Sequence, residues 1–246
     1  MASRITGTIK MKALAIDSSI TQLTIAAKNN EHIVTGIYDI GMKQSETLLS
    51  AIEYIMNAAS LLVNDVDYLV FTHGPGSFTG LRLSLSALKA IALTTGAPLY
   101  GISTLDAYSF AYKNLPQTIL CAIDAKKERF YAKAFKKNAI VFDEGDFSID
   151  EISEKLHKST SKSDILICGP DSALLFEKLA EFNKDTECAH QQKLSALPFC
   201  INPTDALFAL AEEKIKNNES PLKDFDGPLY IRPSEAEVKA EGTRVF

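Results

Sequence analysis

Apolar residues recur along the chain in two rhythms, one suited to strands and one to helices. Lys12 to Asp17 reads Lys-Ala-Leu-Ala-Ile-Asp, a nearly continuous apolar run closed by a carboxylate, and predicts a buried strand. Gln22 to Lys28 and His32 to Asp39 predict two further short strands. Asn29-Asn30 between them marks a tight turn, so the chain opens as a β-meander. Gln44 to Asn64 carries the helical rhythm, with polar Ser50, Glu53, Asn57, Ser60 and Asn64 on one face. Tyr68 to Thr72 predicts a strand, followed by a glycine-rich loop and a second helix from Leu81 to Thr95, stopped by Gly96 and Pro98. Leu99 to Ile102 predicts a short strand, and Ser103 or Thr104 caps a third helix.

The pattern then restarts. Thr118 to Asp124 ends in the same Ala-Ile-Asp as the first strand, and Arg129 to Phe135 follows it as Thr21 to Ala27 follows the first. A helix (Asp150 to Lys158), a strand (Asp164 to Cys168), Gly169-Pro170 and a helix (Ser172 to Phe182) come next. Two successive lobes that each begin with a β-meander and continue in alternating α and β segments predict mixed sheets covered by helices. This is the two-lobed actin-like ATPase arrangement shared with sugar kinases. Residues 11–112 form the expected first lobe, 113–246 the second lobe and tail, with a hinge near Ala111 to Gln117. A helix over 203–216, with Pro203 at an early position, is expected to pack back on the first lobe. Residues 1–10 show no periodicity and read as a leader, with natural translation starting at Met11.

Both long helices carry more apolar surface than one-sided burial needs. Leu48, Ile52, Ile55, Ala59 and Leu62 form a first stripe; Thr47, Ala51, Tyr54, Ala58 and Leu61 form a second, widened by Leu49, Met56 and Val63. In the second helix the small residues Ser84, Ala87 and Ala90 permit close helix approach. The expected partner interface is therefore Ala51, Tyr54, Ala58, Leu61, Ser84, Ala87 and Ala90. The alternative is that a neighbouring lobe or the tail covers the extra stripe.

Charge and cysteines narrow the function class. A net charge of -5 argues against a broad electrostatic grip on nucleic acid. No apolar run reaches the roughly 20 residues of a membrane span. Cys121 and Cys168 lie in strand-like apolar runs, and with Cys188 and Cys200 they contain no Cys-x-x-Cys pair. Reduced core thiols and a chain without a secretion signal fit a cytoplasmic protein.

The segment richest in chemistry is Gly74-Pro75-Gly76-Ser77-Phe78-Thr79-Gly80-Leu81-Arg82, between a strand and a helix. Glycines there allow positive φ and close approach, and helix amides favour an anion. A P-loop needs Lys and Ser/Thr after its last glycine, where Leu81 and Arg82 stand; a dinucleotide loop needs glycine where Thr79 stands. A tight strand-to-helix turn and an anion cradle both remain open. Ser77 directly follows Gly76, so no nucleophile elbow is formed.

Together with Leu14 to Ser19, the pair Ala122-Ile123-Asp124-Ala125 and Phe130-Tyr131, and Pro228-Leu229-Tyr230-Ile231-Arg232, this loop resembles the TsaB (YeaZ) family of the glycoprotease-like group. The resemblance spans the chain from about Met11 to the tail. It implies an actin-type fold and a role in adding threonylcarbamoyl to adenosine 37 of ANN-decoding tRNAs. The implied role is a non-catalytic scaffold that dimerises with the catalytic TsaD. A TsaE ATPase joins the pair and tRNA is met only through the complex; a homodimer through the same two helices is the alternative pairing when TsaD is absent. Members often carry a histidine at the start of the first long helix; here Lys43-Gln44-Ser45-Glu46 has none.

Other candidates stay open in two ways. Asp17 and Asp124 end equivalent strands, where actin-like kinases organise metal and phosphate; they also suit turn caps. Lys126 and Arg129 can face a phosphate or simply line a solvated hairpin turn. His32, His73, His157 and His190 are scattered, and only His73 adjoins the glycine loop. No His-Glu-x-x-His signature occurs, so no catalytic residue, metal site or cofactor is expected. The opposing class is an enzyme, either an ATP-binding phosphotransferase or a metallopeptidase of the glycoprotease group.

Overall fold

A computed structural model describes residues 10–159, 163–185, 193–197 and 202–232. Residues 1–9 of the leader segment, Cys188, Cys200 and His190 lie outside the described residues. The chain builds two five-stranded sheets with the same plan. In the first, β1 (Lys12–Asp17) is central, antiparallel to β2 (Leu23–Asn29), which pairs with β3 (His32–Tyr38); on the other side β1 runs parallel to β4 (Tyr68–Gly74) and β4 to β5 (Leu99–Ser103). In the second, β6 (Thr118–Asp124) takes the place of β1, with β7 (Arg129–Lys136) and β8 (Ala139–Ser148) antiparallel, and β9 (Ile165–Cys168) and β10 (Leu194–Ala196) parallel. The fold is the two-lobed actin-like arrangement, with Asp17 and Asp124 at matching strand ends.

Side-chain alternation in β1 explains the layering. Leu14 and Ile16 point to one face, under α1 (Gln44–Ala58) and α2 (Phe78–Thr95). Ala13 and Ala15 point to the other, where α6 (Thr204–Lys216) lies. The small alanines let α6 approach closely, and Leu207 and Phe208 fill the space beside Tyr68 and Val70. Glu212 of α6 accepts from the Tyr68 hydroxyl at 2.8 Å and pairs with the Lys28 ammonium. The Tyr68 phenol is pushed far up, first by burial and then by its bond to Glu212. The helix α3 (Thr104–Ser109) wedges between the two sheets through Leu105 and Tyr108, which pack on Ile119 and Cys121 of β6. In the second lobe, α4 (Ile149–Ser159) and α5 (Ser172–Asp185) cover one sheet face.

The main departures from expectation are two helix ends and two strands. The first helix ends at Ala58, not Asn64. Ser60 adopts φ 51°, the Leu61 amide donates to the Met56 carbonyl at 2.9 Å and the Ser60 amide to that of Asn57 at 3.0 Å. This is a Schellman closure, and it draws Leu61 into the core behind the helix. α2 begins at Phe78, three residues early, because the Ser77 hydroxyl caps it by accepting from the Gly80 amide. β8 and β10 went unread: β8 mixes Asp143, Glu144, Gly145 and Asp146 into its run and is bulged against β7, and β10 is three residues long.

Candidate functional site

Two surfaces carry the candidate residues. The first is a cleft of about 560 Å³ between the lobes. Its first-lobe wall is the turn after β1, the glycine loop and the start of α1; its second-lobe wall is Ile123 to Lys126 with Pro170 and Asp171.

The glycine loop is built to meet the β1 turn. A Cβ on Gly76 would lie 2.5 Å from the Ser19 carbonyl oxygen, and one on Gly80 1.8 Å from that of Ser18. The Ser77 amide donates to the Ser19 carbonyl at 2.6 Å, and the Ser18 hydroxyl donates to the Gly80 carbonyl at 2.6 Å. The loop's close approach is thus spent on its own chain, as a strand-to-helix turn requires, while Gly76, Ser77, Thr79 and Gly80 line the cleft. Phe78 and Arg82 project from the loop; the Arg82 guanidinium lies 3.8 Å from the Phe78 ring centroid, and Phe78 stacks on Tyr230 at 4.8 Å. His73 does not line the cleft: its Nε2 meets the Gly227 carbonyl at 2.6 Å.

The expected phosphate set does not assemble. Asp17 is fully buried and accepts from the Ser19 amide (2.9 Å) and the hydroxyls of Ser19 (2.6 Å), Thr72 (2.7 Å) and Tyr108 (2.6 Å). Three of these donors meet Oδ1 and one, from Tyr108, meets Oδ2; the carboxylate lies outside the cleft lining and serves as a buried turn cap. Arg129 turns away, its guanidinium held by Asp146 (2.9 Å) and Glu151 (3.0 Å). Asp124 and Lys126 do reach the cleft but satisfy each other: Asp124 accepts from the Lys126 amide at 2.7 Å and its ammonium at 2.6 Å. Asp171 stands behind them, accepting from the Asp124 amide at 2.8 Å. Burial first, and the Asp124 charge next, push the Asp171 carboxyl up. With Asp39 the cleft presents three carboxylates against one paired ammonium, an unfavourable field for a phosphate. No three His, Cys, Asp or Glu side chains among the described residues cluster closely enough to hold a metal ion.

Sequence reading missed one feature of this wall. Lys126, Lys127 and Glu128 have φ of 61°, 56° and 59°, three successive left-handed residues with no glycine. The Ala125 amide to Arg129 carbonyl bond (3.0 Å) and the Lys178–Glu128 pair hold the turn. Nothing in the residue types announces it.

The second surface is the α1–α2 face, where an apolar groove of about 480 Å³ runs between the helices. Of the expected interface residues, Ala51, Leu61 and Ser84 are buried in the chain's own core, and of these only Leu61 reaches the groove, at its floor. Ala51 faces the sheet, Leu61 is carried inward by the Schellman closure, and the Ser84 hydroxyl is turned to the Leu81 carbonyl. Tyr54 and Ala58 are exposed, but Tyr54 lies on the flank beside Tyr38 of β3, whose phenol is raised first by burial and then by Tyr54. Ala87 and Ala90 line the groove. The apolar residues of the groove that reach solvent are Leu49 (72 % exposed), Leu62 (69 %) and Val63 (40 %). The rhythm of α1 had counted Leu62 as core and Leu49 only as a margin, because a helix continued to Asn64 would have turned Leu62 inward.

The family model described as "TsaD: tRNA N6-adenosine threonylcarbamoyltransferase" matches residues 41–196. The chain is 28% identical over 156 residues to the tRNA threonylcarbamoyladenosine biosynthesis protein TsaB of Buchnera aphidicola subsp. Schizaphis graminum, covering 61% of this chain and 74% of that protein. It is 25% identical over 225 residues to the TsaB of Buchnera aphidicola subsp. Acyrthosiphon pisum, covering 88% and 96%. Among solved structures, a Pseudomonas aeruginosa protein with similarity to peptidase YEAZ superposes with a TM-score of 0.72 at 19% identity, over 90% of this chain and all of that one, a likeness of fold.

Proposed function

We propose a role from the premise that this chain belongs to the tRNA N6-adenosine threonylcarbamoyltransferase family, on its TsaB (YeaZ) branch: it serves tRNA threonylcarbamoyladenosine biosynthesis as a non-catalytic subunit. It acts by docking its α1–α2 face on a TsaD-type catalytic subunit. A TsaE-type ATPase joins that pair, and the work is cytoplasmic.

One observation carries the reading: the apolar α1–α2 groove, bordered by Leu49, Leu62 and Val63 in water. Isolated apolar residues at the surface are ordinary, but three around one groove form the kind of patch that marks a protein contact. The cleft gives further support. Asp17, beside it at the end of β1, is fully buried outside the cleft lining and accepts from four donors of its own chain. At the start of α1, Gln44 uses its side-chain amide on the Ile20 and Thr21 carbonyls (2.7 and 2.9 Å), holding the β1–β2 turn. That corner of the cleft is devoted to structure.

The groove makes Ala90, exposed on α2, the decisive position to substitute. An interface of standard size buries about 1,600 Å² in total, and a charge forced into its centre costs several kcal/mol. Ala90→Arg is expected to leave the circular dichroism spectrum unchanged and abolish co-elution with the TsaD-type subunit. Ala58→Arg, on the flank, is expected to weaken it far less. Undiminished co-elution of Ala90→Arg would remove the α1–α2 face from the account.

A further inference from the structure

The carboxy-terminal segment passes beside α2 and is fastened to it. The Leu222 amide donates to the Leu99 carbonyl at 2.8 Å, and the Leu222 side chain packs on the first-lobe core. Residues 223–226 form a closed turn: the Lys223 amide donates to the Asp226 carboxylate at 2.8 Å, and the Asp226 amide donates to the Lys223 carbonyl at 3.1 Å. The Lys89 ammonium of α2 then clamps the turn, donating to the Asp224 and Asp226 carbonyls at 2.6 and 2.7 Å. Beyond it the Leu229 amide donates to the His73 carbonyl at 2.9 Å, and the Tyr230 hydroxyl accepts from Arg82 Nε at 2.7 Å.

Phe225 sits between the two carbonyls that Lys89 holds, and it is 101 % exposed. A phenyl ring wholly in water on a turn fastened at three points is not a loose loop residue turned out by chance. Lys89 also fixes where the ring stands, since Leu93, 82 % exposed, is one helical turn further along the same side of α2. Phe225 therefore flanks the α1–α2 face on the side away from α1.

The helices alone are too small for a stable contact. Eight residues of α1 and six of α2 are exposed, against the roughly 20–30 residues a side in a standard interface. Aromatic anchors on preorganised backbone are what such interfaces use as hot spots. We infer that the fastened 222–230 strap is the third element of the partner-binding surface, with Phe225 as an anchor that enters an apolar pocket on the same subunit that receives α1 and α2. This rests on the docking role proposed above.

The test is the dissociation constant for the TsaD-type subunit, measured by calorimetry with the full chain and its variants Phe225→Ala, Phe225→Asp and Ala90→Arg. Sedimentation of each chain alone is run beside it. Both Phe225 variants should keep the wild-type thermal midpoint, since the ring is bare in the free chain. Their dissociation constants should rise tenfold or more, with Ala90→Arg weaker still. Wild-type affinity in both Phe225 variants with Ala90→Arg impaired would overturn the strap's role and leave the helical face intact. Wild-type affinity in all three would overturn the docking face itself. A change confined to self-association would assign the strap to a second copy of the chain, and would equally overturn the inference.

Discussion

Asp17 is a carboxylate whose surroundings settle its use. Four donors converge on it inside the protein, so Asp17→Ala leaves the Thr72 and Tyr108 hydroxyls buried without their acceptor. The expected loss is about 3–5 kcal/mol of unfolding free energy in urea titrations. A variant as stable as the wild type would contradict the network. Asp171 behaves in the opposite sense. Its carboxyl is pushed up, first by burial, so the folded state holds that proton more tightly than the unfolded chain. Stability tied to this group falls as pH rises above the ordinary carboxylate range. Asp171→Asn, whose side-chain oxygen still accepts from the Asp124 amide, should gain on the wild type in urea midpoint as pH is raised from 4 to 7; a constant difference would contradict the assignment. The strand-ending positions of both Asp17 and Asp124 were legible in the Ala-Ile-Asp echo. What each carboxylate touches was not, because Thr72, Tyr108 and Asp171 arrive from 47 to 91 residues away in sequence.

At the scale of elements, α6 is the connection that ties the end of the chain to its beginning. The Lys28 side chain is only 11% exposed, and Glu212 supplies its counter-charge. Glu212→Ala should cost about 3–5 kcal/mol by leaving a buried ammonium unpaired, while Glu212→Gln, which keeps an acceptor for Tyr68, should cost less. Equal thermal midpoints for wild type and Glu212→Ala would contradict the pairing. The strands of the first lobe could be read closely from apolar runs and the Asn29-Asn30 turn. The sides of α1 could not, because the reading carried the helix through Ser60. One residue in the left-handed region moved Leu61 inward and Leu62 outward and so changed which stripe faces water. The glycine loop was visible as a motif, but the reason for its glycines, contact with the Ser18 and Ser19 carbonyls, requires the packed turn.

For the molecule as a whole, the repeated sheet plan places a cleft between the lobes. Among the described residues its lining carries Asp39, Asp124 and Asp171, the Lys126 ammonium is paired with Asp124, and Asp17 is buried outside it. The apolar surface lies elsewhere, across α1, α2 and the strap that Lys89 fastens beside them. On the function proposed above, this surface is where the protein works. The most direct test is nucleoside mass spectrometry of tRNA from cells depleted of this protein and supplied with either the wild-type chain or Ala90→Arg. The account predicts that threonylcarbamoyladenosine disappears on depletion, returns with the wild type, and stays absent with the folded Ala90→Arg chain. Modification that persists through depletion, or that Ala90→Arg restores in full, would contradict it.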